Sequence, residues 1–266
     1  MYTPFDINEA VAQRREFVEE GLRTGSPVVG LRYKGGLLLF TVRRAQRKIY
    51  EIYDRQMFSA IGRQSDIENV RLAAIQTAHQ EGFERSPDDV SLHRLVGFAL
   101  SPTLKRAFGD PMYIPVVIRA IFAELGKSPK NDVFVTLNYD GEYRQTQDIA
   151  VIAGTQVAED RMLERLEGAD AEQSLHEALE RALLAWAAGM REALRGGRGI
   201  TAREEEEEGA ERFRFIEEAD SERAFLRDEL KTGMVEAAVL EREVHRESHF
   251  RLLSEKEFEP LLREYR

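Results

Sequence analysis

The sequence predicts an α+β protein folded as a four-layer α-β-β-α sandwich, and the order of its segments is the main reason. Groups of β-rich runs alternate with pairs of helical segments, which suits two sheets packed face to face with helices outside. A parallel βαβ fold would instead alternate single strands with single helices. With 266 residues and 42% apolar side chains, there is ample material for the core of one large domain.

Each element has its own signal. Asp6 with Glu9 three residues later forms a capping-box pattern, and Ile7, Val11, Val18 and Leu22 recur at helical spacing. Together they predict a first helix over 7–22, ended by Gly25-Ser26-Pro27. Two β-rich runs, 28–33 and 37–42, flank Lys34-Gly35-Gly36, a tight-turn signal that makes them a hairpin. Short strands follow over 49–52 and 57–61. Ser65 opens a long helix to Gly82, and a second spans 90–108. Pro102 lies inside that second pattern, lacks an N–H, and should kink or split it. Strands return over 113–123, 133–138 and 149–153, with Asp140-Gly141 as a turn. Helices over 157–166 and 174–194 follow.

The stretch from Arg195 to Gly233 breaks this texture. It begins with Gly196-Gly197-Arg198-Gly199 and runs through Glu204 to Glu208, so it reads as a charged, solvated insertion, a loop or a frayed helix. A closing hairpin over 235–240 and 249–253 comes next. Ser254 and Glu257 then supply a capping box for a C-terminal helix ending near Glu264. The expected organisation is an N-terminal segment and helix over 1–25, a sandwich domain over 26–194 and 234–266, and the insertion over 195–233.

Composition narrows the function. A net charge of −10 argues against nucleic-acid binding, which needs clustered Lys and Arg. The absence of cysteine excludes disulfides, thiolate metal sites and cysteine nucleophiles. The apolar runs fall short of the roughly 20 residues that span a bilayer, and the start lacks a signal-peptide pattern, so a cytoplasmic protein is expected. His79, His93, His176, His245 and His249 show no HExxH spacing, so no metal or other cofactor is expected. Asp88-Asp89 reads as the dipole complement of the helix that follows. Leu183, Leu184, Trp186 and Met190 read as one core-facing patch.

Several of these segments, taken in order, resemble proteasome subunits. The run from Ser26 to Phe40 is similar to that family's opening hairpin, and Lys48 to Asp54, Phe58 to Gly62 and Asp66 to its next strands and first long helix. Phe108-Gly109, Tyr139-Asp140-Gly141, Ala150 to Gly154, Val235 to Leu240 and Phe250 to Ser254 continue the order. The helix before the first strand, and the wording around Ser26-Pro27-Val28-Val29 and Ile52 to Arg55, resemble the α type, in its bacterial, actinobacterial-like form.

The resemblance implies a fold like that of the N-terminal-nucleophile hydrolases and a noncatalytic role in a 20S core particle. Identical α chains would form a homo-oligomeric ring, seven-membered as the family implies. That ring would cap β subunits carrying the threonine nucleophiles and would dock a ring-shaped ATPase or other activator. Tyr2, Thr3, Pro4 and Phe5 correspond to the axial gate, and Ile7, Val11, Val18 and Leu22 are the expected ring-assembly stripe. Lys48 matches the pocket lysine that receives an activator's C-terminal carboxylate, and Gly62 a neighbouring pocket glycine. Arg63 stands where some relatives are apolar.

An alternative is a self-processing peptidase, cut after Gly25, with Ser26 as nucleophile and its own amine as base. Lys48 would align with the lysine that lowers the nucleophile's pKa. Against this, Val42 occupies the position of the family's catalytic Asp, Ser26 replaces threonine, and Pro27 stiffens the would-be terminus.

Overall fold

The computed structural model describes residues 4–195, 222–263 and 265. The chain runs α1 (Pro4–Leu22), β1 (Val28–Tyr33), β2 (Gly36–Arg43), β3 (Ile49–Tyr53), β4 (Gln56–Gly62) and α2 (Gln64–Glu84). Next come α3 (Leu92–Arg94), a π-helical stretch over Leu95–Leu100 and α4 (Ser101–Gly109), then β5 (Ile118–Glu124), β6 (Val133–Asn138), β7 (Tyr143–Thr146) and β8 (Ile149–Ile152). The remainder is α5 (Gln156–Leu166), α6 (Leu175–Arg195), α7 (Glu222–Thr232), β9 (Met234–Glu241), β10 (Phe250–Leu252) and α8 (Glu255–Leu262).

Two five-stranded sheets result, ordered β10-β9-β2-β1-β8 and β3-β4-β5-β6-β7, each pair antiparallel. Both faces of each sheet are covered, so the central strands are apolar throughout rather than alternating with polar residues. On β2, Leu37 and Leu39 point between the sheets, where they meet Ile121 and Phe134. Leu38 and Phe40 point outward to Leu183 and Trp186 of α6 and to α7 and α8. On the other sheet, Phe58, Ala60 and Phe122 face outward beneath α2 and the α3–α4 region. The side-chain period of two thus sorts one strand's residues into two cores. This is the α-β-β-α sandwich.

The structure departs from the sequence expectations in five places. Helix α1 starts at Pro4, so Asp6 lies inside it instead of capping it; proline suits a first turn because its missing N–H would be unpaired there. Residues 113–117 are not a strand, because Pro115 lacks a donor and the Tyr113 carbonyl accepts from Arg14 at 2.8 Å. The short, exposed strand β7 has no apolar signal and was not anticipated. Asp88 and Asp89 occupy a 3-10 turn, where Asp88 lies 3.5 Å from Lys127. Within the expected insertion, α7 is a helix whose Phe225 and Leu226 join the outer core under α6. Elsewhere the expected elements are present, and the helix containing Pro102 is indeed split, by the π-helical stretch just before it.

The β1–β2 turn depends on one glycine. Gly36 pairs with Tyr33, has φ +146°, and a Cβ on it would meet the Leu240 carbonyl of β9 at 1.9 Å. Gly36→Ala therefore forces backbone apart in the middle of a sheet. We expect a loss of about 3 kcal/mol or more, a fall in Tm of about 6–12 °C, measurable by thermal denaturation. An unchanged Tm would mean the turn relaxes freely.

Candidate functional site

At one end of the sandwich, the α1–β1 connection meets the β2–β3 connection and the end of β4. They enclose a cavity of about 510 Å³ lined by, among others, Gly25, Ser26, Val42, Lys48, Ile61 and Gly62. Trp186 and Met190 of α6 give it an apolar wall, and Glu229 and Gly233 bring in the far end of α7.

Lys48 is placed by its backbone. Glu236 on β9, buried in the sheet, accepts from the N–H groups of Lys48 at 3.1 Å and Ile49 at 2.9 Å and pairs with Arg43 at 2.8 Å. The sequence shows no acidic neighbour for Lys48; the fold supplies one from 188 residues away. The Lys48 ammonium donates to the Ser26 carbonyl at 2.5 Å. Burial pulls its pKa down from 10.5 to about 7, against the opposing pull of the Glu236 carboxylate. An ammonium held so close to neutrality gains from an arriving carboxylate.

Ser26 is fully occupied. Its hydroxyl donates to the Val42 carbonyl at 2.6 Å and accepts from Trp186 Nε1 at 3.0 Å. The acceptor where a nucleophile's base would sit is a backbone carbonyl, which cannot carry a proton away. The geometry suits anion binding far better than nucleophilic attack.

Of the anticipated pocket residues, Lys48 and Gly62 come together in the cavity. Gly62 has φ +131°, and a Cβ there would lie 2.1 Å from the Val117 carbonyl, so the chain's own packing already demands glycine. Arg63 lines no part of the cavity; its guanidinium lies 5.8 Å from the Phe17 ring of α1 and its N–H donates to Val117 O at 2.9 Å.

The ring-assembly stripe divides. Val18 and Leu22 are fully enclosed in the chain's own inter-sheet core, whereas Val11 is 38% exposed and Phe17, not anticipated, 46%. The side chain of Ile7 lies outside the described residues, as do those of Pro4 and Phe5; Tyr2 and Thr3 lie outside altogether. Trp186 and Met190 are core residues as expected, but they also wall the cavity. Sequence reading missed Gly25 and Glu236. Glu236 left a trace: a lone acid amid the apolar run Val235 to Leu240.

Among the described residues, no helix is long and apolar enough to cross a membrane, and no three His, Cys, Asp or Glu side chains are placed to hold a metal ion.

No protein-family model matches the chain. Among curated proteins it is similar to the proteasome subunit alpha of Acidothermus cellulolyticus, 31% identical over 175 residues, covering 62% of this chain and 74% of that one. It is 30% identical to that of Thermobifida fusca over 159 residues, 58% of this chain and 63% of the relative. With the Streptomyces coelicolor protein it shares 31% identity over 158 residues, 58% and 62% respectively. The chain therefore spans less than two thirds of the latter two relatives and about three quarters of the first.

Removing Glu236 orphans two backbone N–H groups and a partly buried guanidinium. Glu236→Ala should cost about 3 kcal/mol in urea denaturation, and Glu236→Gln, which keeps an acceptor, clearly less. Equal losses below about 1 kcal/mol would show that this carboxylate does not tie the site together.

Proposed function

The chain belongs to the proteasome α-subunit family, and on that premise we propose that it is a noncatalytic subunit of a proteasome core in the cytoplasm. In this reading identical chains form a heptameric outer ring over β subunits, which carry the peptidase activity. Residues 1–25 supply the gate (Tyr2, Thr3, Pro4 and Phe5) and the helix behind it. The sandwich domain carries the pocket that docks a ring-shaped ATPase or other activator for protein degradation, and residues 195–233 are an insertion. The observation that carries the reading is the Lys48 ammonium, lodged beside an apolar wall, its pKa drawn down by burial to about 7 so that its charge lacks a sufficient counter-anion. A peptidase reading at Ser26 is disfavoured by the committed hydroxyl.

The activator contact would be the terminal carboxylate of a peptide tail on Lys48, with Gly62 beside it; Arg63, turned toward Phe17 and lining no part of the cavity, takes no part in it. A charge-assisted hydrogen bond of this kind contributes about 1.5–3 kcal/mol, so Lys48→Ala should weaken activator binding to the assembled particle about tenfold or more. The pH dependence follows from the depressed pKa. Below about 7 the ammonium is charged and affinity is level; as pH rises through and above 7 the free pocket loses its charge and affinity falls. Lys48→Arg, which stays charged, should flatten that profile. Unchanged affinity in Lys48→Ala would reduce Lys48 to an ordinary lysine.

Ring contact, in this reading, falls on Val11 and Phe17, since Val18 and Leu22 are taken up inside the subunit. Val11→Asp with Phe17→Asp should leave a folded chain that native mass spectrometry finds as monomers, because charges would enter an apolar contact. Intact rings would remove α1 from the interface.

A further inference from the structure

The connection between β2 and β3 is the most cationic stretch bordering the cavity: within Arg43–Lys48, four of six residues are Arg or Lys. Two are spent inside the molecule, Arg43 on Glu236 at 2.8 Å and Lys48 on the Ser26 carbonyl at 2.5 Å. The other two are not. Arg44 is exposed, and the only carboxylate within 4.0 Å of it among the described residues is Glu229, at that limit. Arg47 is also exposed and forms no ion pair among the described residues; its guanidinium lies 5.9 Å from the Tyr50 ring. Both line the cavity, so its mouth is cationic while its wall at Ile61, Trp186 and Met190 is apolar.

We propose that this pocket selects an acidic peptide tail, with Arg44 and Arg47 taking carboxylate side chains that lie a few residues before the tail's C-terminus. The inference rests on the tail-pocket reading of Lys48 and extends it from the terminal carboxylate to the residues ahead of it. An extended chain advances about 3.3 Å per residue, so the third and fourth residues from the end of a tail anchored at Lys48 would lie about 7–10 Å from the anchor, and the proposal assigns these to Arg44 and Arg47. Guanidinium suits this task, because its fork of N–H groups donates to both oxygens of a carboxylate in bidentate geometry. Alternation of one apolar insertion with flanking carboxylates also matches the wall and mouth in sign and polarity.

The test uses the assembled full-length protein and fluorescein-labelled octapeptides that end in leucine. Three probes suffice: free C-terminus with Asp at the third and fourth positions from the end, the same with Asn, and the Asp peptide as its C-terminal amide. By fluorescence anisotropy the Asp peptide should bind about fivefold or more tighter than the Asn peptide, and added salt should narrow the gap. Arg44→Gln with Arg47→Gln should bring the two peptides together, while Arg44→Lys with Arg47→Lys keeps part of the preference. Equal binding of the Asp and Asn peptides, with the amide still weaker, would overturn the acidic selectivity alone. An amide that binds as well as the acid, or no binding by any probe, would overturn the tail-pocket reading and this inference with it.

Discussion

One buried carboxylate fixes the end of the sandwich on which the site depends. Glu236 sits on β9 in one sheet, yet the two N–H groups it accepts from, those of Lys48 and Ile49, open β3 in the other. Taking a carboxylate out of water costs several kcal/mol unless partners repay it, and here two backbone donors and Arg43 do so. The requirement runs both ways: the donors need the acid as much as the acid needs the donors. Directly across the strand pair, Thr41 faces Glu236 and its hydroxyl donates to the Pro27 carbonyl at 2.7 Å. These contacts hold the β2–β3 connection beside the start of β1, which is why Lys48 meets Ser26 at all.

Helix α1 closes the space between the sheets at the same end. Val18 and Leu22 belong to the inter-sheet core with Val117 and Ile61. The fit is close on two sides: a Cβ on Gly154 would lie 2.4 Å from the Arg23 carbonyl, and one on Gly21 would lie 2.8 Å from Val117. Arg14 takes the carbonyls of Ala107, Phe108 and Tyr113, and Glu19 accepts from the Tyr139 hydroxyl, whose pKa burial and that same carboxylate push up to about 12. The helix is therefore a fixed part of the subunit, held by one narrow stripe while its other described side chains, Val11 and Phe17 among them, turn outward. In the proposed ring, that rigidity would give the residues ahead of α1 a defined direction, and the exposed Val11 and Phe17 a defined partner surface.

Most of the fold was legible because hydrophobic period and turn chemistry agreed. The β1–β2 hairpin, the capping box at Ser254 and the split at Pro102 each had a local cause and each is present. What sequence could not supply was long-range. The loss of a strand over 113–117 depends on Arg14, some hundred residues away, and the burial of Phe225 and Leu226 depends on α6. Strand β7 is exposed and polar, held by pairing with β6 and by no pattern of its own. For the site, the resemblance indicated Lys48 and Gly62, but the reasons lay elsewhere: Glu236 positions the first, and the Val117 carbonyl demands the second. The Val18 and Leu22 stripe was read correctly as apolar and assigned to the wrong side, since periodicity shows that a face is buried and not what buries it.

The difference between this pocket and a catalytic one comes down to what stands beside the lysine. In the resemblance drawn from sequence, Val42 occupies the position of an aspartate that holds the lysine in catalytic relatives. The structure shows the physical result. With no carboxylate at residue 42, burial dominates Lys48 and brings its pKa to about 7, while Glu236 acts only as a partial counterweight. At the same time the Val42 carbonyl takes the Ser26 proton in a hydrogen bond and cannot remove it, so the hydroxyl is neutralised as a nucleophile. The two properties have separate causes: a backbone carbonyl that any residue at 42 would supply occupies the serine, whereas the valine side chain there leaves the lysine without an anion. A ligand carboxylate would supply that anion, raise the lysine's pKa and recover the electrostatic stabilisation that the chain leaves unmade. In the proposed role, the apolar side chain at 42 leaves beside Lys48 the place that a ligand's carboxylate takes.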